Sequence, residues 1–171
     1  NFYTAYVINH ILGGGSFTSR LYNSVREERG LAYSVSTHLS VRRNAPLIVG
    51  QLSTSNDRVA ESVRLVRSEW RQMASNGVGL EALNNAKSFI NGSFALQFSS
   101  SDRIANLLTI MQYYDLSPSY LRKRREYINS VSRTDIQKFA QKFLNADALT
   151  FVVVGQPIGL EGIKAPPEKR Y

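Results

Sequence analysis

Two histidines, His10 and His38, are all the imidazole this chain has for holding a metal or moving a proton. A helical zinc hydrolase pairs histidines at i and i+4 around a glutamate. Neither histidine has such a partner, and His38 falls in a strand pattern. There is no cysteine, so disulfides and thiolate metal sites are excluded as well. Glu27 and Glu28 are adjacent on a helical pattern and point in different directions, so they are not an acid/base pair. The triplet Gly13-Gly14-Gly15 brings phosphate cradles to mind, but both nucleotide loops need a strand before the glycines, and the P-loop needs a lysine at a fixed offset. Here the glycines follow a helical pattern and no lysine is in place, so they read as a flexible joint between two helices. Arg64, Arg67 and Arg71, with the run Arg122, Lys123, Arg124 and Arg125, would suit a nucleic-acid footprint. No aromatic interleaving accompanies them, and solvated helical faces are expected. That leaves Arg26 and Tyr33. Arg26 lies in the last turn of a helical pattern, where the macrodipole favours a cation by about 0.3–1 kcal/mol. Tyr33 falls on the apolar side of a strand alternation, which reads as a core aromatic.

These residues need elements to position them. Residues 2–12 form a helical pattern that the three glycines would end, at roughly 1 kcal/mol each. Ser16 is placed to cap a second helix with Leu21 and Val25 on its buried face, and Gly30 sits where a left-handed C-cap is expected. Residues 31–41 alternate, with Leu31, Tyr33, Val35, Leu39 and Val41 on one side and Ala32, Ser34, Ser36, His38 and Ser40 on the other. After a turn over residues 42–46, residues 47–54 run back as the second strand of a hairpin. Asn56 or Asp57 would cap a long helix to about Ser75, whose stripe is Val59, Val63, Val66, Trp70 and Met73. Asn76 and Gly77 stop it. A helix over residues 80–96 buries Leu83, Ala86, Ile90 and Phe94, and another runs from Asp102 to about Tyr114. Ser117 and Pro118 open a helix carrying the basic run. Ser132 caps a last one with Ile136, Phe139, Ala140, Phe143 and Leu144 toward the core. Residues 149–154 form a continuous apolar strand of the mid-sheet kind, closed by Gly155 and Pro157.

About six helices and three strands give an α+β fold, a mostly antiparallel sheet covered by helices. Three strands are the minimum for a stable sheet, and six helices ask for more cover, so further strands are expected upstream of Asn1. The chain opens inside an apolar helical pattern without a Met, which reads as a fragment. Residues 1–157 are expected to form a single α+β domain and residues 158–171 a loose, Pro- and charge-rich tail. Hydrophobic residues at 43% and charges at 20% of 171 residues exclude wholesale disorder. No apolar run reaches the roughly 18–20 residues of a membrane span. The net charge of +8 suits an acidic partner domain as well as nucleic acid or an acidic membrane surface, and does not choose between them.

Residues 12–33 carry a resemblance. Leu12-Gly13-Gly14-Gly15, Ser19-Arg20-Leu21, Val25-Arg26-Glu27 and Gly30-Leu31-Ala32-Tyr33 resemble a stretch in the C-terminal half of pitrilysin-family (insulinase-type) zinc metallopeptidases. At lower specificity the resemblance runs on through the long helices to the closing Val-Val-Val-Gly at residues 152–155, and so covers nearly everything but the tail. It implies a LuxS-like metalloenzyme domain: the last domain of the non-zinc half, with its first strand cut off. In that family two halves enclose a chamber that holds peptide, and a His-x-x-Glu-His motif in the N-terminal half binds zinc. The resemblance implies no metal or cofactor in this chain, and zinc in a partner half on the same polypeptide or a separate subunit. It implies that Arg26 hydrogen-bonds a substrate backbone carbonyl near the scissile bond. Tyr33 would donate to that carbonyl or to the oxyanion, with Ser34 and Ser36 as chamber lining. A peptide substrate and a soluble location in the bacterial cytoplasm or periplasm are also implied. The alternative is a catalytically silent scaffold or assembly subunit of the same fold.

Overall fold

A computed structural model describes residues 2–42 and 45–160, and among them helices dominate. The α-helices are α1 (Phe2–Asn9), α2 (Val59–Asn76), α3 (Leu80–Ser93), α4 (Ser101–Tyr113), α5 (Tyr120–Ser130) and α6 (Arg133–Phe143). A single hairpin, β1 (Ser34–Ser40) with β2 (Leu47–Ser53), makes an antiparallel two-stranded sheet in the register Ser34↔Ser53 to Ser40↔Leu47. The architecture is α+β, as expected. The turn between the strands and the tail from residue 158 fall partly outside the described residues, at 43–44 and 161–171.

The core forms around α1. Val7, Ile8, Ile11 and Leu12 are all buried, because α1 packs on β1 from one side and on α3, α5 and α6 from others. A helix covered on several sides needs apolar residues all round rather than a stripe. The stripe of α2 delivers Val59, Val63, Trp70 and Met73 to the interior. Ser132 caps α6 reciprocally with Asp135: its hydroxyl accepts the Asp135 N–H at 3.0 Å, and the carboxylate accepts the Ser132 N–H at 2.9 Å. The Ser132 hydroxyl, 2.6 Å from the same carboxylate oxygen, and the Ser132 N–H hold the Asp135 carboxyl below the usual carboxylate range.

Several elements differ from their sequence pattern, each for a physical reason. Gly13 and Gly14 do not end the first helix. It continues through them as a π-helical turn, His10–Gly14, and closes only at Gly15. This turn lies against β1, and a Cβ built on Gly13 would sit 2.6 Å from Thr37 Oγ1 and 3.0 Å from Thr37 N. The glycines are a close-packing surface, not a joint. Ser16 caps nothing; it takes a left-handed φ of +50°. Nor do Asn56 and Asp57 cap α2. Asn56 accepts the N–H groups of Gln156 and Ile158 instead, holding the end of the chain. Phe143 is exposed and rests on Phe139 rather than in the core.

The largest departure is at residues 149–154. They belong to no ladder among the described residues, and Val152 and Val154 are 87% and 95% exposed. Between them and the outer edge of β2 runs a groove of about 710 Å³ floored by Val63, Val66 and Trp70 of α2. A mid-sheet strand needs a ladder partner, and no described strand occupies that gap.

Candidate functional site

Arg26 belongs to a short π-helix, Tyr22–Glu27, and the residues before it explain how that helix is anchored. Ser19 is fully buried, and its hydroxyl donates to the Ser16 carbonyl at 2.8 Å. Arg20 reaches α2, with Nε 2.9 Å from Glu69 Oε2 and Nη2 3.0 Å from Gln72 Oε1. Leu21 and Val25 enter the core. The run Ser19-Arg20-Leu21 is therefore an anchor: one hydroxyl fixes the entry, one cation ties to α2 and one apolar residue packs. The helix itself winds wide, with the Glu28 N–H bonded to the Asn23 carbonyl at 2.9 Å, five residues back.

Arg26 is exposed in the last turn, above the nearly buried Tyr22 (8% exposed). Its Nη1 donates to the Tyr22 hydroxyl at 2.9 Å, and its Cζ lies 5.0 Å from the Tyr22 ring centroid. Phe17 meets the same ring edge-on at 5.0 Å. Burial, with a hydrogen bond to Glu27, pushes the Tyr22 phenol above its ordinary pKa.

From Arg26 the chain reverses at Gly30, whose φ of +58° is open to glycine and strained for residues with a Cβ. The Gly30 N–H closes onto the Arg26 carbonyl and the Leu31 N–H onto that of Val25, both at 2.9 Å. The segment that follows is pinned from outside. Arg58 Nη1 donates to the Gly30 carbonyl at 2.7 Å, the Thr54 hydroxyl donates to the Leu31 carbonyl at 2.5 Å, and the Tyr33 N–H donates to the Ser53 carbonyl at 2.8 Å.

Tyr33 is not a core aromatic. It is 77% exposed. Leu31 and Ala32 are both buried and Tyr33 and Ser34 both exposed, so the two-residue alternation begins only where the ladder does, at β1. Tyr33 lies before the first residue of β1, so the strand alternation does not set its exposure. Ser34 and Ser36 are exposed on the outward face of β1 with His38, opposite the buried Val35 and Thr37. The fold thus presents the Arg26 guanidinium and the Tyr33 phenol as two exposed hydrogen-bond donors. They stand at the two ends of a turn whose backbone is held by five hydrogen bonds.

Among the described residues no three His, Cys, Asp or Glu side chains converge on one point. His10 stacks on Phe89 at 5.0 Å, and burial lowers its pKa below the ordinary imidazole value. The basic stretches are only partly solvated faces. Arg67 lies over Phe151 at 5.3 Å, Arg71 pairs with Asp147 at 2.6 Å, and Arg124 is 7% exposed with its guanidinium 4.1 Å over Phe94. Sequence reasoning missed the roles of Tyr22, Arg20 and Glu69. Tyr22 had a signal, its spacing of four from Arg26 on a helix. The Arg20–Glu69 pair, 49 residues apart, had none.

A family model described as the peptidase M16 inactive domain matches residues 1–90, just over half of the chain. A protein of Helicobacter pylori named non-peptidase homolog YmxG is 29% identical over 148 residues, covering 86% of this chain and 34% of that protein. A Bacillus subtilis protein named uncharacterized zinc protease YmxG is 29% identical over 100 residues, 58% of this chain and 24% of that one. Among solved structures, a peptidase M16 inactive domain from Pseudomonas fluorescens superposes with a TM-score of 0.75 at 28% identity, over 85% of this chain and 35% of that one. The chain spans about a third or less of the length of these relatives. Among the described residues no helix is long and apolar enough to cross a membrane.

Proposed function

The chain belongs to the peptidase M16 family as its inactive domain, and on that premise we propose that it is the non-zinc part of a zinc endopeptidase, binding peptide and assisting its hydrolysis. The observation that carries this reading is Tyr33: an aromatic in an apolar stretch, held at 77% exposure by a backbone pinned to β2. A tyrosine serving only the core would be buried. With Arg26 exposed seven residues earlier, the chain offers two donors to one extended peptide. The guanidinium donates to a substrate backbone carbonyl, and the phenol donates to the scissile carbonyl and to the oxyanion as negative charge develops there. A preorganised donor of this kind contributes about 2.7–4 kcal/mol to the transition state. In this reading Ser34 and Ser36, exposed on β1, line the chamber, and a peptide can add as a strand beside such a sheet. Zinc, held by a His-x-x-Glu-His motif in a partner half on the same polypeptide or a separate subunit, supplies the activated water. The reading assigns none of the described residues of this chain to that activation.

The test uses the assembled enzyme. Arg26→Ala and Tyr33→Phe are each expected to lower peptide turnover by about 10²–10³-fold, with zinc content unchanged. Normal turnover in both variants sinks the assignment. A second reading, a scaffold subunit without catalysis, is favoured by the name of the Helicobacter pylori relative, a non-peptidase homolog. It is distinguished by an assembly that forms fully and shows no hydrolysis with either the native or the substituted pair.

A further inference from the structure

Resting on that reading of Arg26, we infer that Tyr22 is a positioning residue which fixes the direction of the Arg26 guanidinium. A free arginine spreads over many rotamers, with about 2 kcal/mol of side-chain entropy. At the surface it would point anywhere. Here two contacts from one residue limit it. The Tyr22 hydroxyl accepts from Nη1 at 2.9 Å, and the Tyr22 ring lies beneath the guanidinium plane, 5.0 Å from Cζ.

Tyr22 can do this because it is itself immobile. It is buried at the base of the π-helix and braced by Phe17 edge-on. A guanidinium has donors and no acceptor, so the Tyr22 hydroxyl accepts and the hydrogen bond has one sense. The phenol orients Nη1, and the donors of Nη2 and Nε are left for a peptide carbonyl. Tyr22 touches no substrate in this arrangement and acts only through Arg26.

Phenylalanine at position 22 keeps the ring and its packing and removes the hydroxyl. In the assembled peptidase, Tyr22→Phe is expected to lower kcat/KM for a peptide about tenfold. The pair Tyr22→Phe with Arg26→Ala should be no slower than Arg26→Ala alone, since the hydroxyl has nothing left to position. A separate readout needs no activity. In NMR spectra of this chain, the Arg26 Nη protons should be resolved by hindered rotation in the native form and averaged in Tyr22→Phe, with backbone amide shifts elsewhere unchanged. A Tyr22→Phe enzyme at full rate, additive losses in the double variant, or averaged Nη protons in the native chain would each overturn the inference. Full turnover by Arg26→Ala is a different result. It removes the role proposed for Arg26 and leaves the NMR comparison to judge the positioning itself.

Discussion

Gly13→Ala separates two accounts of the glycine triplet because they predict opposite signs. If Gly13 is a flexible joint or an ordinary helix position, alanine lowers the entropy of the unfolded chain and stabilises by up to about 1 kcal/mol. If Gly13 is a contact surface, its new Cβ meets Thr37 Oγ1 at 2.6 Å, Thr37 Cγ2 at 2.8 Å and Thr37 N at 3.0 Å. The Thr37 side chain is buried, and its backbone is fixed opposite Gly50 in the ladder, so neither side has room to give. Overpacking of this kind costs about 1–3 kcal/mol. Set against the propensity gain, the net loss is expected to be about 1–2 kcal/mol, a fall in Tm of roughly 2–8 °C for a chain of this size. Urea unfolding of this chain measures it, as a lower midpoint at unchanged m-value. Gly92→Ala is the internal control: it lies in α3, nothing stands within 4 Å of its Cβ, and it should be neutral or stabilising. Thr37→Ala added to Gly13→Ala should return part of the loss, because two of the three close atoms disappear. Gly13→Ala as stable as the native chain, or more so, would refute the close-packing argument and restore the joint.

Other outcomes follow from the same packing. Arg124 is buried against Phe94 at 4.1 Å and Tyr6 at 5.9 Å, with a long bond of 3.4 Å to the Ile90 carbonyl. Arg124→Ala should therefore lose roughly 2 kcal/mol or more of packing and cation–π stabilisation in urea unfolding, whereas Arg122→Ala, exposed on the same helix, should be near neutral. For His10, burial lowers the folded-state pKa below its value in the unfolded chain. The unfolded chain then takes up the proton first, so stability is present above pH about 6.5 and falls as pH drops through the folded value. His10→Phe should flatten that acid slope when unfolding is followed between pH 7 and 5, and an unchanged slope counts against it.

The helices were readable because each buries one face against a known period. Val59, Val63, Trp70 and Met73 land inside α2 as spaced, and Ser132 caps α6 as its position suggests. Gly30 takes the left-handed turn that its place after the helix demands. Most of the misses share a cause: they were decided by a partner distant in sequence. The π winding at His10–Gly14 lies against Thr37, more than twenty residues on. Arg67 and Arg124 look solvated until Phe151 and Phe94 fold over them. Tyr33 is different: it precedes the ladder, where the two-residue alternation that would have buried it does not yet hold. At the site, the helix-end place of Arg26 was legible. The exposure of Tyr33 and the brace from Tyr22 emerged only with the backbone path.

The groove beside β2 bears on how this chain behaves in concentrated solution. One rim is a strand edge with no described ladder partner; the other is Leu-Thr-Phe-Val-Val-Val, apolar, β-prone, free of charge and proline, with Val152 and Val154 bare to solvent. A short segment of that composition beside an open sheet edge is the combination that templates strand exchange between molecules. Two copies can satisfy each other's rims, so association that rises with concentration is expected of the isolated domain.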